Sequence, residues 1–154
     1  MSIFDPQSFL DSTTTEASKK RPPLPAGEVL VGIIGELKPP RVVQGKKDTT
    51  QTYYFLDIPI EFDLTSRPDL AKLVGLTKVT IQDQISLQLT DDGKLDMSPG
   101  KNSRLGRYRE ALGLNEDGTP FSMRQLVGRQ VRAKIKHDPY EGEVYDKIDS
   151  VAKV

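Results

Sequence analysis

Between Lys78 and Thr90 the chain reads KVTIQDQISLQLT, and its apolar residues keep to one parity. Val79, Ile81, Ile85, Leu87 and Leu89 take the odd positions, while Thr80, Gln82, Gln84, Ser86, Gln88 and Thr90 take the even ones. A period of two belongs to a β-strand with one buried and one wet face. One such strand demands a sheet, because its backbone groups need partners at both edges. Asp83 alone breaks the pattern, a carboxylate at an otherwise apolar position. The TDDGKL that follows is a hairpin turn, since Asp-Gly tolerates the left-handed conformations a tight turn needs.

Four other segments read as strands. GEVLVGIIGEL puts Val29, Val31 and Ile33 on one face and Leu30 and Ile34 on the other, with Gly32 and Gly35 marking a bend or bulge. TYYFLDIPIEF is the second, and its Pro59 suits an edge or a bulge. In RQVRAKIKH, Val131, Ala133 and Ile135 point one way and Arg132, Lys134 and Lys136 the other. EVYDKIDSVAKV is the last, with Val144 and Ile148 inward. KPPRVVQGKKDTTQ, after the first strand, reads as a long cationic loop, and DPYEG as a turn.

Helical signals are short. RPDLAKLVG is a helix or turn before the alternating strand. Leu105, Tyr108 and Leu112 follow helical spacing with Gly113 as the cap, which puts Tyr108 in the core. Ser122 and Gln125 form a capping box, and Phe121 and Leu126 a hydrophobic staple, around a second short helix.

The order is strand, loop, strand, strand with a small hairpin, helices, strand, strand. That predicts a mainly β fold, a five-stranded OB-like Greek-key barrel with one or two short helices between strands three and four. Residues 27–154 form this domain. Residues 1–26, small, polar and proline-rich, form a flexible, extended N-terminal tail. Asp5 caps and Pro6 opens a short helix in it, gathering Phe4, Phe9 and Leu10 into a patch that either docks on its own domain or meets a partner.

The formal net charge is zero, but it is unevenly spread. Residues 101–136 carry nine cations and three anions, whereas 57–96 carry four and eight. A basic zone between acidic ones suggests a localised anion-binding surface, or merely solvated faces. Absence of cysteine removes disulfides and thiolate chemistry, and a lone His137 leaves no histidine metal site or catalytic triad. No secretory signal opens the chain and no apolar run reaches membrane-spanning length.

Four stretches of this chain resemble the small phage-encoded OB-fold single-stranded-DNA-binding proteins of replication and recombination. They are FDPQSFLDSTTTEA, PLPAGE, LDMSPGKNSRLGRYREALGLN and PFSMRQLVGRQVRAKIKHDPYEGEVYDKIDSVAKV. The resemblance covers most of the chain and includes no sharp catalytic motif. It implies binding of a displaced single strand in the host-cell cytoplasm. The residues themselves are read as serving no enzymatic activity, cofactor or metal.

Single-strand binders use cations along the phosphates and aromatic faces under the bases. The long loop offers Arg41, Lys46 and Lys47, and the strand-four face Arg132 and Lys134. Lys101, Arg104, Arg107 and Arg109 cluster at a helix start whose amides favour anions. Of Tyr53 and Tyr54 only one can be wet, and Tyr54 is the candidate; Tyr140, at a turn tip, either stacks or packs on a neighbouring strand. Phe55, Phe62, Tyr108 and Phe121 belong to the core. Competing readings pair Lys136 with Glu141 or Glu143, and Arg109 with Glu110 or Glu116. Few wet aromatics mean modest, salt-sensitive affinity, for which a homo-oligomer or cooperative coating compensates. Asp57, Glu61, Asp63 and Asp83 are the weak alternative of an Mg²⁺-dependent nuclease. An adaptor that binds replication or recombination proteins through Phe4, Phe9 and Leu10, without touching DNA, is the other.

Overall fold

The computed structural model describes residues 4–48 and 50–154; the first three residues of the predicted tail lie outside them. The strands are β1 (Val29–Ile34), β2 (Arg41–Gln44), β3 (Thr52–Asp63), β4 (Lys78–Leu87), β5 (Gln130–Tyr140) and β6 (Glu143–Ala152). The helices are α1 (Pro6–Phe9), α2 (Pro68–Val74) and α3 (Ser103–Ala111), with a 3-10 turn at Met123–Leu126. All six strands join one open antiparallel sheet.

β3 organises it. β4 runs the length of one edge, from Tyr54↔Leu87 to Asp63↔Lys78. On the other edge, β2 takes residues 52–55 and β1 takes 60–61. Between them the Pro59 carbonyl accepts the Gly35 N–H at 2.9 Å. The proline nitrogen faces that same edge, where no ladder needs its missing proton. β1 pairs onward with β5, and β5 with β6. β4 and β6 are therefore the two ends of the path β4-β3-β1-β5-β6, and they lie alongside each other without a ladder. α3 packs on both.

β2 corrects the expectation of five strands and a loop. Its two valines, enclosed by Pro39–Pro40 and Gly45, are too few to reveal a period, and pairing with β3 decides the matter. Similarly, β5 and β6 continue through the expected DPYEG turn to a two-residue Glu141–Gly142 turn, both at positive φ, where Gly142 is at home.

The inner face holds Leu56, Ile58, Ile60 and Phe62 of β3, Val79, Ile81 and Ile85 of β4, and Val131, Ala133 and Ile135 of β5. On β1 it is Leu30, Gly32 and Ile34 that turn inward, leaving Val29, Val31 and Ile33 exposed. Gly32 is required there: a Cβ would stand 2.4 Å from Ile60 Cγ2 and 2.8 Å from Phe62 Cε1. Val144 is exposed because the β5–β6 hairpin projects past the core as an arm.

The end of the tail belongs to the domain. Leu24 is fully buried in the core. The Asp146 carboxylate accepts both the Leu24 N–H, at 2.8 Å, and two bonds from Arg21, at 2.6 and 2.9 Å. His137 Nε2 donates to the Leu24 carbonyl at 2.7 Å. Lys20 lies 3.8 Å over the Tyr145 ring. Upstream, α1 forms as its cap predicts, with Asp5 accepting from the Gln7 N–H. Leu24→Ala is expected to lower unfolding free energy by about 2–5 kcal/mol, the range for emptying a leucine site. Urea denaturation measures it, and a loss near zero contradicts the core role.

Candidate nucleic-acid interface

Asp83 is the inward-facing residue that breaks the β4 alternation, and its burial sets the geometry of the surface. A buried carboxylate needs a counter-charge and donors. Arg104, from the first turn of α3, supplies the charge, with Nη2 at 3.0 Å from each Asp83 oxygen. The same guanidinium donates to the Ile148 and Asp149 carbonyls of β6, at 2.8 and 3.3 Å. These carbonyls are open to it because the β5–β6 register slips between Lys134↔Ser150 and Ile135↔Ile148, leaving Asp149 as the extra residue of a bulge. Tyr108 donates its hydroxyl to Asp83 at 2.5 Å, and burial together with that carboxylate raises the phenol well above its ordinary pKa. Arg104 thus bolts β4 to β6. It is committed to this junction rather than held open for a phosphate, and Lys101, Arg104 and Arg107 do not act as one ridge.

Outside the bolt lies a groove of about 400 Å³. Gln82, Gln84 and Ser86, from the wet face of β4, form one side, joined by Phe55 of β3 directly opposite Ser86 in the ladder. Lys136 and Asp138 of β5 and Lys147 of β6 form the other, with Arg104 and Asp83 at the floor. Phe55 was expected in the core; it is half-buried on the outer face instead. Arg41 stands 5.8 Å over its ring and is held by Asp57 at 2.7 and 3.0 Å.

The two-residue turn sets Lys136 opposite Lys147, and Glu143 opposite Tyr140. The cross-strand pair of Lys136 with Glu141 or Glu143 does not form, and neither Lys136 nor Lys147 makes an ion pair among the described residues. Alternation carries Lys136, Asp138 and Tyr140 on one face of the arm, with Tyr140 exposed at its tip.

The remaining candidates are dispersed. Lys46 and Lys47 lie in the exposed turn between β2 and β3. Tyr54 faces inward and packs against the core, and Tyr53 is the wet member of the pair. Arg132 and Lys134 sit on the outer face of β5, opposite Val31 and Val29 of β1. Arg107 lines a separate hollow with Glu110 and Val151. Lys101 is exposed before α3, but the loop around it serves β4: buried Asn102 bonds both backbone groups of Gln88 and the Asp96 carbonyl. Arg109 pairs with neither Glu110 nor Glu116; it lies 4.3 Å from the Phe121 ring centre and donates to the Leu114 carbonyl.

Nor do the four carboxylates assemble. Asp57 binds Arg41, Glu61 lies 3.8 Å from Lys78, Asp63 accepts the Thr65 N–H, and Asp83 faces the opposite side of the sheet. No group of three or more metal-ligating side chains occurs among the described residues. No helix among them is long and apolar enough to cross a membrane.

Sequence alone did not single out Lys147, Gln82, Gln84 or Ser86. The β4 alternation does place the last three on one wet face; Lys147 depends on the arm's register, which only the fold reveals. Comparison of the chain with protein-family models and with curated proteins finds no match.

Arg104→Ala leaves the Asp83 carboxylate buried without its counter-charge. The expected cost is about 3 kcal/mol, at the low end for a broken buried pair because Arg104 is partly exposed. Pairing it with Asp83→Asn should recover part of the loss. Unfolding curves of the single and double variants check both statements.

Proposed function

We propose that the protein binds single-stranded DNA without sequence preference, in the groove between β4 and the β5–β6 arm. The observation that carries this reading is the convergence, in one groove, of two lysines that make no ion pair among the described residues, an aromatic face and three neutral polar side chains, against one wall carboxylate, Asp138. Lys136 and Lys147 supply positive charge for phosphates, and Phe55 supplies a stacking face. Gln82, Gln84 and Ser86 offer donors and acceptors that accommodate any base edge. Lys46 and Lys47 on the β2–β3 hairpin, and Tyr140 on the other arm, extend the path beyond the groove, whereas Arg41 is held by Asp57.

The path β4-β3-β1-β5-β6 supports an OB-like barrel with Arg104 closing it in place of a ladder. In such barrels the outer face of the second and third strands, flanked by two loops, takes oligonucleotides. β3 and β4 occupy those positions here. The resemblance to phage replication and recombination proteins agrees with this reading, and with action on displaced strands in a host cytoplasm. No catalytic step or cofactor is part of it.

The affinity of a dT oligomer should fall steeply with salt, by about 0.7 in log–log slope for each phosphate neutralised on a single strand. Lys136→Glu with Lys147→Glu should flatten that slope by about 1.4. Phe55→Ala should cost about 1–3 kcal/mol of binding, the range for one stacked base. Reversal at Arg107, which lines a different hollow, should matter less than reversal at Lys147. Fluorescence anisotropy at several salt concentrations checks all four. Absence of any salt-sensitive binding by the unaltered chain favours the adaptor reading instead.

A further inference from the structure

Past the groove, the inner face of the sheet runs on beyond the core. Val42 and Tyr54 pair in the β2–β3 ladder, facing the core side, with Leu87 at the end of β4 and Leu89 and Leu95 in the turn that follows. With Met123 they line an open, mainly apolar hollow of about 480 Å³, in which Val42 stays exposed. A smaller hollow shares Pro40 and Met123 with it and includes Lys38 and Arg124 against one carboxylate, Glu36. Neither of these cations forms an ion pair among the described residues.

The tail carries the complement. Phe9 is 58% exposed and Leu10 86%, and the Phe9 ring meets Phe4 edge-on at 5.3 Å. Residues 4–16 contain three carboxylates, Asp5, Asp11 and Glu16, and no basic side chain, opposite in sign to Lys38 and Arg124. Residues 11–19 link this tip to the Lys20 tether and span about 30 Å when extended. The tether stands on the β5–β6 arm, whereas β3 and β4, across the groove, carry the hollow. Tyr145 pairs with Asp138 on the groove side of the arm, so a tail that reaches its own chain's hollow by the direct route crosses the groove and competes with any strand bound there. A tail docked on a neighbour does not.

We infer that the Phe9–Leu10 tip docks in the hollow lined by Val42 and Met123 of a second copy, linking molecules along one single strand. The inference rests on the strand-binding reading for its setting. A tip of one helical turn buries far less than the roughly 1,200 Å² of a stable interface, so it does not hold copies together in dilute solution. On a shared strand the effective concentration reaches the millimolar range, where a small contact suffices.

The chain has no cysteine, so Ser8→Cys gives a unique attachment point for a nitroxide. A spin-labelled copy is mixed with ¹⁵N-labelled unaltered chain on poly-dT long enough for several molecules. The expected result is broadening of the Val42, Leu89 and Met123 amides of the ¹⁵N copy, lost when the spin-labelled chain also carries Phe9→Ala and Leu10→Ala. That variant should keep its affinity for a one-site dT oligomer but lose about a hundredfold in loading of long poly-dT. No broadening at these amides, or broadening only when both labels share one chain, overturns the inference. The same mixture at high protein concentration without DNA separates the two readings. Broadening there, with no binding of dT, upholds the docking site and removes the nucleic-acid function.

Discussion

The Arg104 guanidinium joins the two ends of an antiparallel sheet that no backbone ladder joins. It does so because β4 places Asp83 on its apolar face and β6 bulges at Asp149, turning carbonyls toward the same point. Each feature alone is costly: a buried carboxylate without a partner, and strand carbonyls without donors. Together with the Tyr108 hydroxyl they satisfy one another around a single side chain. α3 lies across the junction to deliver both Arg104 and Tyr108.

The candidate interface follows from that construction. A bolted junction keeps β4 and β6 alongside each other without merging their outer faces, and a groove results. The β5–β6 arm, long enough to leave the core, then brings Lys136 and Lys147 over the wet face of β4. Cations close in sequence have different fates. Arg104 closes the sheet, Arg109 stacks on Phe121, Arg107 borders another hollow, and Lys101 stays on a loop anchored by Asn102. A net charge of zero is compatible with a local excess of cations because charge is unevenly placed: Arg104, Lys136 and Lys147 line the groove against Asp83 and Asp138.

Much of the framework was legible in advance. The β4 alternation, the Asp5 cap, the Asp-Gly turn and the helical spacing of Leu105 and Tyr108 all reappear in the structure, because each is set by neighbours a few residues away. β2 was not legible, since an edge strand of four residues takes its conformation from β3. Nor was the placement of Phe55 and Tyr54. Alternation shows that neighbours face opposite ways, but not which face the core occupies at the end of a sheet. Leu24, in a proline-rich stretch that reads as tail, is buried because Asp146 and His137 capture the backbone on either side of its side chain.

By itself, the sequence determined the mainly β character, most strand positions, the turns and caps, and the presence of a basic zone. Those properties arise from local periodicity and backbone preference. Tertiary structure alone decided which cations share a surface and which are consumed as internal counter-charges. Arg104 and Lys147 look alike as sequence; strand register and the facing of Asp83 make one a bolt and the other part of a groove wall. The reason is physical: electrostatic partnership depends on separations of a few ångströms between residues dozens of positions apart, and those separations exist only once the sheet has curled its ends together.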